Sequence, residues 1–112
     1  MPTTWKSSII TRRKGDITTQ LEPMTPGEIL RDEFMADYGL SQNRLALALH
    51  VPVSIINRVV NNKYRITAEL ALRLATYFGT SPQFWMNLQT SYDLRKAERE
   101  KGAQVKQEVQ PV

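Results

Sequence analysis

The 112-residue chain has no cysteine and a single histidine, His50. Without thiols there is no disulfide, no thiolate metal site and no cysteine nucleophile. A lone histidine has no second imidazole with which to hold a metal or to complete a base–nucleophile pair, so His50 reads as a turn residue. There is no glycine-rich phosphate loop. No apolar run approaches the roughly 20 residues of a membrane-spanning helix. The stretch from Trp5 to Ile10 is too short and too polar for a signal peptide. These absences predict a protein that is not an enzyme, with no cofactor, no metal, no small-molecule substrate and no membrane partner, working in the cytoplasm.

A more local absence is more informative. Residues 41–65, SQNRLALALHVPVSIINRVVNNKYR, contain no acid, although the chain has eleven Asp and Glu. The window holds Arg44, Arg58, Lys63 and Arg65, which matches the +4 net charge of the entire chain. The preceding residues, 26–40, set four acids against Arg31 alone. A basic balance (sequence pI about 9.6) is a weak pointer to an anionic partner; its concentration in one segment beside an acidic one is a stronger pointer.

Periodicity and punctuation divide the chain. Residues 1–24 lack helical spacing and read as an N-terminal extension, flexible or folded as a weak hairpin around Lys14-Gly15-Asp16 with Ile9, Ile10 and Ile17 beside it. Trp5 is a lone aromatic there, inert or an anchor for a partner. Helical signals begin at MTPGEIL. Thr25 suits an N-cap, Pro26 the first turn, Glu28 a capping box, and Met24 with Ile29 a hydrophobic staple. Leu30, Phe34 and Tyr38 recur on one face, and Gly39 ends the helix. Glu28, Asp32 and Glu33 form an acidic turn, read as a solvated face that favours the helix dipole, with docking of a basic protein as the second reading.

Ser41 caps a second helix with Leu45, Ala46 and Leu49 on one side. Pro52 cannot sit in a helix interior, so His50 and Val51 make a turn and a third helix starts near Val53. There Ile56, Val59 and Val60 share one face, and Ser54, Asn57, Arg58 and Asn61 the other. Asn61-Asn62-Lys63 is a stop signal. Thr67 caps a fourth helix, apolar at Ala71, Leu74, Ala75 and Phe78, which Gly79 terminates. Ser81-Pro82 opens a fifth, with Phe84, Trp85, Leu88 and Tyr92 as an apolar stripe suited to core or to a dimer interface. The charged end fades past Gly102. The expectation is therefore an all-α domain over residues 25–100, with flexible tails and residues 101–112 disordered.

Two short helices joined by a tight turn, the second with polar side chains outward, are the parts of a helix-turn-helix. Such a unit places its second helix in the major groove of DNA and needs an acid-free surface against the phosphates. On that reading Gln42, Asn43 and Arg44 hold phosphates at a helix N-terminus. Val53, Ser54, Asn57, Arg58 and Asn61 face the groove. Arg58 suits guanine and Asn57 adenine, while Val53 and Ile55 suit a thymine methyl. Lys63, Tyr64 and Arg65 add backbone contacts.

The motifs P-G-E-I-L, S-Q-N-R-L-A, I-T-A-E-L-A-L-R-L-A, F-G-T-S-P-Q-F-W-M-N-L-Q and Y-D-L-R, in that order from Thr25 to Glu98, resemble the HigA antitoxin family of Xre-type helix-turn-helix proteins, in its short form. The resemblance implies a compact five-helix, lambda-repressor-like domain and a homodimer. It implies two partners, double-stranded operator DNA and a HigB-type toxin that cleaves mRNA. The implied function is to neutralise that toxin and repress the operon encoding both. A stand-alone repressor without a toxin is the alternative. The chain departs from the pattern at His50, where the family usually has glycine, at Asn62 within the usual N-G-K, and at Arg65, where a small residue is common. Both His50 and Asn62 tolerate positive φ.

Overall fold

The computed structural model describes residues 24–112. The hairpin expected around Lys14-Gly15-Asp16 and the anchor reading of Trp5 lie outside the described residues. Among those described, five helices follow one another without a strand. We label them α1 (residues 26–38), α2 (Gln42–Leu49), α3 (Val53–Val60), α4 (Ala68–Phe78) and α5 (Pro82–Glu108).

Local chemistry sets the helix ends where the sequence predicts them. Thr25 and Glu28 close a reciprocal capping box on α1, each with a 3.0 Å hydrogen bond. Ser41, Thr67 and Ser81 accept from Arg44 N, Leu70 N and Phe84 N, which satisfies backbone donors left open at the start of α2, α4 and α5. His50 (φ 59°) and Asn62 (φ 60°) take the left-handed conformation at the two stops of the central helix pair.

α1 departs from simple periodicity. It begins as α-helix over Pro26–Ile29, widens to a π-helical segment over Leu30–Met35 and returns to α over Ala36–Tyr38. The wider turn shifts the side-chain register. Leu30 and Phe34 are fully buried as their spacing predicts, but Tyr38 is 52% exposed, its ring tilted 32° to that of Phe78 at 5.6 Å between centroids. The same shift turns Glu33 inward, only 2% exposed. The acidic turn is therefore not a solvated face. Glu33 is buried, Glu28 is spent in the capping box, and Asp32 binds Arg31 at 2.8 Å. That bond and the Asp32 charge hold the Arg31 guanidinium above its ordinary pKa.

The core gathers around Trp85, whose ring sits 4.7 Å from Phe34, 5.1 Å from Phe84 and 6.1 Å from Phe78. Its indole N–H donates to Thr80 Oγ1 at 2.7 Å, so the one polar atom of the ring is paired. Leu45, Leu49, Ile56, Val59, Ile66, Leu70 and Leu74 complete the interior. Gly27 lets α1 approach the end of α3. A Cβ built there would lie 2.0 Å from the Val59 carbonyl oxygen, closer than any side chain permits. Only the missing side chain of glycine allows this helix crossing.

The sequence places the end of order near Gly102, yet α5 continues to Glu108. A mid-helix glycine costs only about 1 kcal/mol. The flanking Lys, Glu, Gln and Ala are good helix formers, and Gln104 bonds Glu108 one turn on at 3.0 Å. Among the described residues no helix is long and apolar enough to cross a membrane.

Candidate nucleic-acid interface

α2 and α3 form the helix pair, with His50 and Val51 in the turn between them. Their inner faces, Leu45, Ala46, Leu49, Ile56, Val59 and Val60, are buried. Their outer faces carry Asn43, Arg44, Val53, Ser54, Asn57, Arg58 and Asn61, all exposed, with Gln42 half-buried between the helices. Lys63, Tyr64 and Arg65 follow on the exposed loop. The fold thus brings the acid-free window onto one continuous surface.

Several side chains on this surface hold one another. Asn57 Nδ2 donates to Gln42 Oε1 at 3.1 Å, joining the first residue of α2 to the middle of α3. That bond uses one N–H of Asn57 and the carbonyl of Gln42. The Asn57 carbonyl with its second N–H, and the Gln42 amide group, are left for an outside partner. The Arg58 guanidinium lies over the Tyr64 ring, 5.7 Å from its centre. A planar cation on an aromatic face is pre-oriented and loses less freedom on binding. Asn61 Nδ2 donates to the backbone carbonyl of Asn57 at 2.9 Å and so closes the end of α3, leaving the Asn57 side-chain Oδ1 out of that bond. At the other end Pro52 provides no side-chain cap, unlike Ser41 on α2.

Three expected site residues sit differently. Ile55 is half-buried against the core beside Val51, Pro52, Tyr64 and Leu70, which line a cleft of about 150 Å³. Its side chain packs partly against the core while still lining that cleft. Arg65 is ion-paired with Asp93 of α5, so its charge is partly neutralised within the chain. Trp85, one of four residues read as core or dimer interface, has no exposed surface and belongs to the core alone. Phe84, Leu88 and Tyr92 are half-buried around it.

Other residues that brace the site escape a reading by spacing. Arg73 donates to the Leu49 carbonyl at 3.0 Å, satisfying the C-terminus of α2, while Glu69 holds its other nitrogens at 2.9 and 3.2 Å. The Glu69–Arg73 pair is visible as i,i+4; its reach to α2 is not. Gln89 is buried, accepts from Ile66 N at 2.7 Å and donates to Asp93 at 3.0 Å. Asn62 Nδ2 donates to the Tyr92 hydroxyl at 3.0 Å. The loop after α3 is thereby fastened to α5 at three points. Gly27 also escaped that reading, although a glycine inside a helical pattern can mark a close packing contact.

An acid-free pair of short helices, set on three others with its polar side outward, defines a helix-turn-helix protein. The helix-turn-helix family matches residues 33–85. The chain is 50% identical over 82 residues to virulence-associated protein I of Dichelobacter nodosus, covering 73% of this chain and 76% of that protein. It shares the fold of Pseudomonas aeruginosa antitoxin HigA, solved with the higBA promoter, at a TM-score of 0.79 and 45% identity over 81% of this chain and 99% of that one. An addiction module antidote protein of the HigA family from Coxiella burnetii is similar at 0.77 and 42%, covering 80% and 98%. The chain belongs to the HigA family of helix-turn-helix antitoxins.

Proposed function

We propose that this protein is the antitoxin of a two-component module. It represses its own operon by binding promoter DNA as a dimer, and it neutralises a HigB-type mRNA-cleaving toxin by direct contact in the cytoplasm. The observation that carries the DNA half is the acid-free outer surface of α2, α3 and the following loop, with Arg44, Arg58 and Lys63 on it. Family membership supports the toxin half, and the related Pseudomonas HigA is described with its own promoter.

Each residue then has a task. The N-terminus of α2, with Gln42, Asn43 and Arg44, meets phosphate, where the backbone N–H groups and the helix dipole favour an anion. Asn57, pinned by Gln42, offers its carbonyl and remaining N–H to a base edge. Arg58, flattened on Tyr64, reads a guanine, and Val53 and Ser54 lie beside the neighbouring bases. Asn61 shapes the end of the reading helix. Lys63 contacts the backbone, and Arg65 is drawn back toward Asp93.

Titration of the purified protein against its own promoter fragment tests this. Specific binding to an inverted repeat is expected, with half-sites about one helical turn apart and affinity falling steeply with salt. No binding in dilute buffer overturns the DNA half. Co-expression with the neighbouring small gene should give a stable complex. Operator binding without that complex favours the stand-alone repressor.

A further inference from the structure

Residues 61–67 link α3 to α4. Tyr64 stands in the middle of this link, with its ring under the Arg58 guanidinium. Where the ring sits depends on what holds the link on either side of it. Before Tyr64, Lys63 N donates to the Arg58 carbonyl at 2.7 Å, and Asn62 Nδ2 donates to the Tyr92 hydroxyl at 3.0 Å. After it, Arg65 pairs with Asp93, and Ile66 N donates to Gln89 Oε1 at 2.7 Å. All of these ties except the first end on α5.

The ties differ in kind. Ile66 and Gln89 are both buried, so their bond lies where an N–H without an acceptor is costly. Gln89 can serve only one way round. Its Nε2 donates to Asp93 Oδ1 at 3.0 Å, and an ionised carboxylate only accepts, so the carbonyl end is the one turned to Ile66. Asp93 thus orients the amide, and the amide holds the link. Tyr92 works from a half-buried edge, with its hydroxyl on the side chain of Asn62, a residue kept at φ 60°. An arginine that meets both acceptors of a guanine edge needs its plane fixed. A guanidinium free to turn still attracts phosphate as a charge. Loosening Tyr64 would therefore cost discrimination more than overall affinity.

Resting on the reading of Arg58 as a base contact, we propose that Gln89 and Tyr92 are positioning residues for base recognition. They fix the link that carries Tyr64, and Tyr64 fixes the plane in which Arg58 meets a base. Both lie on α5, outside the acid-free window, and act on DNA only through that link. The selectivity of the operator contact, as distinct from its strength, is then set in part from α5.

The test is titration of the full chain on its promoter fragment and on fragments altered one base pair at a time. Arg58→Ala identifies the base pair that Arg58 reads, as the one whose alteration no longer matters to that variant. Gln89→Met keeps the length of the side chain and removes its amide. Discrimination at that base pair should fall about five-fold in Gln89→Met and about two-fold in Tyr92→Phe. Discrimination at the other base pairs and affinity for random DNA should hold, and neither change should add anything in the Arg58→Ala background. A second readout needs no DNA. The ring-current shift that Tyr64 imposes on the Arg58 side-chain protons should shrink in both variants. Tyr92→Phe removes only a hydroxyl at a half-buried edge, so it serves as the test where Gln89→Met fails to fold. A loss spread equally over all base pairs would make both residues supports of the fold and overturn the proposal. So would a discrimination and a ring-current shift that Tyr92→Phe leaves untouched. If no base pair depends on Arg58, that reading falls and takes this proposal with it; if one does and the α5 variants spare it, this proposal alone falls.

Discussion

The two faces of α3 differ in what they can tolerate. Ile56, Val59 and Val60 are buried, and the Val59 carbonyl occupies the space a Gly27 side chain would need. Ser54, Asn57, Arg58 and Asn61 interleave with them in sequence and stand in solvent. The inner face sets the angle at which the helix is presented. The outer face supplies the chemistry. The comparison teaches that stability and recognition are separable in a helix of eight residues, because its period assigns them to opposite sides.

Substitutions should break that separation in graded ways. Trp85→Ala removes the centre of the core and should cost about 3–5 kcal/mol, read as a collapse of the urea midpoint. Gly27→Ala adds one methyl group where backbone already sits. It should cost about 3 kcal/mol, at the upper end for overpacking, and lower operator affinity only through loss of folded protein. Arg58→Ala should do the reverse. The denaturation midpoint should hold while specific binding weakens by about 1–3 kcal/mol, and an equal loss on random DNA would reassign Arg58 to phosphate.

Two smaller effects sharpen the picture. A double-mutant cycle of Gln42→Ala and Asn57→Ala should give a coupling of about 0.5–1 kcal/mol in operator binding, since each amide orients the other; strict additivity would show the 3.1 Å bond to be idle on DNA. Asp93→Asn keeps an acceptor for Gln89 but releases Arg65. Both partners of that ion pair are largely exposed, so the loss of stability should stay under about 1 kcal/mol. Binding at low salt should tighten about two- to three-fold as a cation is returned to the surface, and the gain should vanish at high salt.

The parts of the fold governed by neighbours in sequence were legible. Thr25, Ser41, Thr67 and Ser81 cap helices because a hydroxyl reaches an N–H three residues on, and that geometry is the same in any protein. His50 and Asn62 end helices for an equally local reason. The outward set of α2 and α3 followed from 3.6-residue spacing, and the acid-free window marked where it leads. What spacing misread was spacing-dependent. The π-helical turn in α1 took Tyr38 out of the core and put Glu33 into it. At Gly102 the fall in apolar content looked like an end, although helix propensity on both sides carried α5 onward.

From its sequence alone, this protein was determined to be a chain of capped helices, acid-free where two of them meet and without cysteine for thiol chemistry. These are properties of composition and short range. The tertiary structure decided which of two adjacent aromatics, Phe84 or Trp85, became fully buried, that Arg65 would answer to Asp93, that Ile55 would be half-buried against the core, and that Arg73 would close the end of α2. Each of those outcomes depends on residues 15 or more positions away, or on a ring finding space between helices. Only the packed arrangement brings such groups within reach of a hydrogen bond or a van der Waals contact.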